Sequence, residues 1–102
     1  MTASTALDLT ETPATALVDG PERLLAAVAD PVRWTVLRRL AAGRACVCDL
    51  QAHVTVAPNL LSYHLKVLRE AGLVTTTKRG RWVDYELAPD APARLLEALP
   101  VS

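Results

Sequence analysis

Cys46-Val47-Cys48 contains both cysteines of the chain. Two soft thiols one residue apart can ligate a thiophilic metal or metalloid, form a redox pair, or pack as small apolar side chains. A thiol oxidoreductase would want Cys-x-x-Cys at a helix start in a βαβ setting, and neither the spacing nor the setting is present. No paired carboxylates, Gly-rich phosphate loop or nucleophile triad appears, so the chain reads as a non-enzyme. Two adjacent cysteines do not make the evenly spaced framework of a secreted disulfide scaffold. With no basic stretch leading into an apolar one near the N-terminus, a signal peptide is not expected. No segment reaches the roughly 18 apolar residues of a membrane span. A reducing, cytoplasmic home with free thiols, and no membrane partner, is the expectation.

A second constellation is polar and basic. Asn59, Ser62, Tyr63 and Lys66 fall opposite Leu61, Leu65 and Leu68 on one helical pattern, and Lys78, Arg79 and Arg81 crowd a turn sequence, Arg79-Gly80. Net charge is zero, yet residues 31–82 hold nine Lys/Arg against two acids, a balance of +7, and the flanks hold the opposite −7. A basic segment bracketed by acidic ends is the footprint of a nucleic-acid surface. Asn can bond an adenine edge through two hydrogen bonds, and Ser and Lys can reach bases or phosphates. Basic side chains at a hairpin tip suit backbone or minor-groove contacts.

The elements that would position these groups follow from punctuation and period. At 102 residues the chain is one small domain. Half of it is apolar but it has no Phe, so the core must be Leu, Val and Ala, which suits packed helices. Residues 1–20 read as an N-terminal arm, partly flexible, with short helices over Thr5–Leu9 or Pro13–Val18 as options; residues 21–102 form the folded domain. Pro21 opens a first helix with a Leu24, Leu25, Val28 stripe, and Asp30 caps a second, whose first residue is Pro31. Val32, Val36, Leu37 and Leu40 form its apolar face, and Gly43 ends it. A short third helix is expected over Cys46–His53. Pro58 begins a fourth, which Gly72 closes. Leu73–Lys78 and Arg81–Leu87 are strands of a hairpin, the second with Val83, Tyr85 and Leu87 on one face and Trp82, Asp84 and Glu86 on the other. Asp90 caps a last helix, Ala91–Leu99. Trp34, Trp82 and His64 are read as packing residues, His53 as a surface or turn residue. Short helices joined by a tight turn and followed by a basic hairpin describe a mainly α fold with a small β-hairpin, a winged helix-turn-helix.

The chain resembles the ArsR–SmtB family of bacterial metal-responsive repressors. The resemblance runs from Asp30-Pro31 through Cys46-Val47-Cys48-Asp49-Leu50, then the stretch from Leu61-Ser62-Tyr63-His64-Leu65 to Leu73-Val74, and on to Arg79-Gly80-Arg81-Trp82 and Leu87. It implies a homodimer formed through the first and last helices, with Leu24, Leu25, Val28, Leu95, Leu96 and Leu99 as its apolar contacts. It also implies an inverted-repeat operator in double-stranded DNA, repression without ligand, and release on ligand binding. The nearest branch is the arsenite-responsive one, whose inducer, As(III) or Sb(III), binds a cysteine pair in the third helix, here Cys46 and Cys48; no constitutive cofactor is implied. Those repressors often carry a third cysteine where this chain has Gln51, so solvent, a small thiol or a partner-chain group would complete the site. Cadmium/lead sensors add cysteines from an N-terminal arm and zinc sensors use acid and His residues on the last helix; residues 1–45 contain no Cys and residues 91–102 no His or Cys. The alternative is a repressor of the same family that answers another soft metal (Cd, Pb or Bi) or thiol oxidation. If both cysteines were helical they would point about 200° apart, so a shared ligand would have to unwind the first turn of the third helix.

Overall fold

The computed structural model describes residues 20–100. The expected arm, with its optional helices over Thr5–Leu9 and Pro13–Val18, lies outside the described residues but for Gly20. Helices α1 (Pro21–Val28) and α2 (Pro31–Ala41) are followed by a two-residue strand β1 (Ala45–Cys46), helix α3 (Val47–Gln51) and helix α4 (Pro58–Glu70). Strands β2 (Val74–Arg79) and β3 (Trp82–Leu87) form the hairpin, and α5 (Ala91–Ala98) is the last element among the described residues.

Local chemistry explains where the helices begin and end. The Asp30 carboxylate accepts hydrogen bonds from the backbone N–H of Val32 at 2.8 Å and of Arg33 at 3.1 Å, with Pro31 at the first helical position. Such a cap contributes about 1 kcal/mol. At the end of α4, the N–H of Gly72 donates to Arg69 and that of Leu73 to Leu68, both at 3.0 Å. This is a Schellman closure, which requires the positive φ of 76° that Gly72 adopts and brings Leu73 onto Leu68. Asp90 departs from expectation: its side chain makes no cap bond, and its carboxylate stands 3.9 Å from Arg94 one turn on.

Leu50, Leu61, Leu68 and Leu73 are fully buried, joined by Val36, Leu37, Leu40, Leu65 and Val74. The Leu61, Leu65, Leu68 stripe faces the core as its spacing predicts. Leu24, Val28 and Leu95 pack against that core, and α1 lies against α5. Trp34 and Trp82 correct the sequence reading. They are 53% and 55% exposed, because nothing in the described residues covers them.

The sheet is antiparallel with order β1-β3-β2, so β3 is central. Its registers are Cys46↔Asp84 on one side and Thr77↔Asp84 and Arg79↔Trp82 on the other. The alternation expected along β3 also needs correction. Tyr85 and Leu87 pack toward the core, but Val83 is exposed and Asp84, expected on the polar face, is buried.

Candidate nucleic-acid interface and thiol pair

Helix α3, the turn after it and α4 make the helix-turn-helix. Leu50 anchors α3 in the core. The Gln51 side-chain amide donates to the Val56 carbonyl at 2.7 Å and ties the turn. The residue that stands in for a third thiol therefore braces the motif. On α4 the outward positions Asn59, Ser62, Tyr63 and Lys66 are all exposed. Lys66 lies 4.0 Å from Glu70, an exposed pair of little strength.

The back of α4 is pinned by a buried polar cluster. His64 and Arg33, 6% and 8% exposed, meet with Arg33 Nη1 at 2.9 Å from His64 Nδ1. Arginine has only donors, so His64 accepts at Nδ1 and keeps its proton on Nε2. Arg33 Nε also donates to the Ala27 carbonyl at 2.6 Å, tying the end of α1 to α2 and α4. Burial holds the His64 imidazole below its ordinary value; Asp30, 3.9 Å away, pulls it up and Arg33 pushes it down. Burial also works to raise the Asp30 carboxyl, but the Arg33 and Val32 N–H bonds and the His64 and Arg33 charges outweigh it, and Asp30 is held below the usual range. His64 is thus the packed residue the sequence reading expected. Arg33 was missed, although its place three and four residues before Val36 and Leu37 put a cation on an apolar face.

On the hairpin, Lys78, Arg79 and Arg81 are exposed. Arg79 is not free, however: its Nε donates to Asp84 Oδ2 at 2.5 Å and its Nη2 to Oδ1 at 3.2 Å. The two-pronged bond from Arg79 holds the Asp84 carboxyl below the usual range despite burial, and the Arg79 and Arg44 charges add to that. The same bond raises Arg79, with smaller help from the Asp84 charge and the nearby Cys46.

Both cysteines are free, Cys46 half-buried and Cys48 exposed. The expected third helix over Cys46–His53 is corrected to Val47–Gln51. Cys46 is the residue before it, extended at φ −84° and ψ 171° and paired in β1. Asp49 reaches back to the Cys46 N–H at 3.4 Å in a capping-box arrangement. The thiols therefore straddle a strand-to-helix joint and are not two helical positions about 200° apart. His53 is exposed, with Nδ1 2.9 Å from the Asp49 carbonyl. Among the described residues no group of three or more His, Cys, Asp or Glu could hold a metal ion, and no helix is long and apolar enough to cross a membrane.

The apolar positions of α1 and α5 separate into two sets. Leu24, Val28 and Leu95 are half-buried against the core and Leu25 is half-buried, whereas Leu96, 69% exposed, and Leu99 face outward.

Residues 30–76 match the family described as "Bacterial regulatory protein, arsR family". The chain is 39% identical over 74 residues to an arsenical resistance operon repressor of Escherichia coli, covering 72% of this chain and 63% of that protein. It is 42% identical over 76 residues to a biofilm growth-associated repressor of Agrobacterium fabrum, covering 74% and 65%. The chain thus spans just under two thirds of the length of these two curated relatives. A solved structure described as a possible transcriptional regulator for arsenical resistance superposes with a TM-score of 0.68 at 39% identity, over 72% of this chain and 77% of that one.

Proposed function

The chain belongs to the arsR family of bacterial regulatory proteins, and we propose that it is a repressor which binds an inverted-repeat operator as a homodimer and is released by trivalent arsenic or antimony at Cys46 and Cys48. One observation carries the reading: a pair of free thiols sits at the joint that leads directly into the helix-turn-helix. Soft thiolates favour soft, thiophilic ions.

In this reading α4 enters the major groove, with Asn59, Ser62, Tyr63 and Lys66 toward the bases and phosphates, and Lys78, Arg79 and Arg81 of the wing follow the backbone. Leu96 and Leu99 meet a second copy of the chain, with Leu24, Leu25, Val28 and Leu95 beside them, because an exposed apolar helix face gains most by being covered. Two copies present two reading helices to half-sites about one DNA turn, ~34 Å, apart. Gln51, occupied by Val56, leaves two thiols on this chain, and hydroxide or a small thiol completes the arsenic.

The test is fluorescence anisotropy of the reduced protein on a labelled duplex from its own promoter, with and without micromolar arsenite. Tight binding that arsenite abolishes is expected, and release that persists in Cys46→Ser or Cys48→Ser refutes the assignment of the site. A second reading, release by another soft metal (Cd, Pb or Bi) or by oxidation of the pair, is favoured by the two-thiol count. Release by cadmium or peroxide but not by arsenite would select it.

A further inference from the structure

The thiol pair and the wing share a sheet. Cys46 lies directly opposite Asp84, and Asp84 directly opposite Thr77. Residues paired across antiparallel strands project to the same face with Cβ atoms about 4.5–5.5 Å apart. Cys46, Asp84 and Thr77 therefore form one row across the three strands. Arg79 stands two residues beyond Thr77, the diagonal neighbour of Asp84, and grips its carboxylate with two hydrogen bonds. Asp84 is 2% exposed and is one of only three buried polar or charged residues among those described. A buried carboxylate held by one guanidinium depends on that partner staying in place.

We propose that Asp84 is the positioning residue that carries occupancy of the thiol pair to the wing; this rests on the thiol-sensor reading above. Arsenite, As(OH)3, exchanges two hydroxides for the two cysteine sulfurs. Two As–S bonds form, two As–O bonds break, and the thiol protons leave with the hydroxides as two waters, with no change of oxidation state. The arsenic then staples the joint between β1 and α3. β1 is two residues long and lies at the edge of the sheet, so few ladder bonds resist its movement. As Cys46 turns toward Cys48 it leaves its place opposite Asp84, the Asp84–Arg79 grip is lost, and the wing no longer holds its basic residues in the geometry that fits DNA. The wing is thus a direct recipient of the signal, in parallel with the path from α3 through Leu50 to α4.

Asp84→Asn removes the charge at nearly constant shape and lies outside the proposed DNA contacts. Arsenite binding to this variant is followed by the thiolate–arsenic absorbance, and promoter binding by anisotropy. In the wild type arsenite should weaken DNA binding roughly 100-fold, within the usual span of allosteric coupling. Asp84→Asn breaks the grip without arsenite, so arsenite should bind as before, promoter binding should already be weakened at least about tenfold, and the remaining arsenite effect should shrink below about fivefold, with DNA weakening arsenite binding by the same reduced factor. A variant that keeps the full effect overturns the proposal. Hydrogen exchange in the wild type provides a test that does not depend on the variant folding. Arsenite should speed exchange in residues 82–87 at least about threefold, because local opening exposes ladder amides; unchanged exchange there overturns the proposal. A wild type that binds arsenite but stays on DNA refutes the sensor reading, and with it this coupling. A wild type that lets go while exchange in residues 82–87 is unchanged refutes the coupling alone.

Discussion

Arg33→Ala removes the cation that joins three helices. Two of its bonds are well formed, to the Ala27 carbonyl at 2.6 Å and to His64 at 2.9 Å; a third, to Ala26, is at the limit of 3.5 Å and is counted as nothing. Hydrogen bonds from a charged donor contribute about 1.5–3 kcal/mol each, so the loss is about 3–6 kcal/mol before water enters the gap. Small domains are stable by only about 5–15 kcal/mol, and at this size each kcal/mol moves Tm by roughly 4–8 °C. A fall of at least about 12 °C is expected by calorimetry at fixed protein concentration.

The loss should also depend on pH. His64 is held below its ordinary 6.5 first by burial, then by Arg33, against the pull of Asp30. The unfolded chain therefore takes up the proton before the folded one. This part of the stability is present above 6.5 and is lost as pH falls through the folded value. Without Arg33, only burial still opposes the pull of Asp30 on His64, and the proton is accepted more easily. The urea-denaturation gap between wild type and variant should therefore narrow between about pH 8 and about pH 5. A gap under about 1 kcal/mol, or one equal at both pH values, would refute the account of this cluster.

Three further outcomes follow from the geometry. Lys66→Ala should weaken promoter binding at all sequences alike and lower the slope of log K against log salt by about one, since a phosphate contact is removed; an unchanged slope would take Lys66 off the interface. Gly72→Ala should cost about 1–2 kcal/mol from the positive φ alone. Its Cβ would also fall 2.9 Å from Arg94 Nη1, which donates to the Gly72 carbonyl, so a neutral result in urea denaturation would contradict the helix closure described. Leu96→Asp should yield a monomer by analytical ultracentrifugation with the fold intact by circular dichroism, and a variant that stays dimeric would move the interface elsewhere.

Much of this architecture could be read locally. Asp30-Pro31 and Pro58 mark helix starts because capping and a fixed φ act within a few residues, and Gly72 marks an end because a Schellman turn needs a left-handed residue at that spot. The Leu61, Leu65, Leu68 spacing assigns the inner face of α4 and so its outer, polar face. The thiol pair and the basic hairpin are visible as composition alone. What required the tertiary structure is what depends on pairing between remote segments. Cys46 belongs to a strand because residue 84 lies opposite it, and two residues carry no period that could announce a strand. Asp84 is buried because Arg79 can satisfy it there, and alternation along β3 predicts only sides, not which side is covered. Trp34 and Trp82 look like core residues by type, yet exposure is decided by whatever packs over them. Arg33 and His64 find each other only after α2 and α4 have crossed. Side-chain type and local spacing thus set helix limits, faces and candidate chemistry. Strand register and the pairing of buried charges are properties of contacts between distant parts of the chain, and these were settled only by its packing.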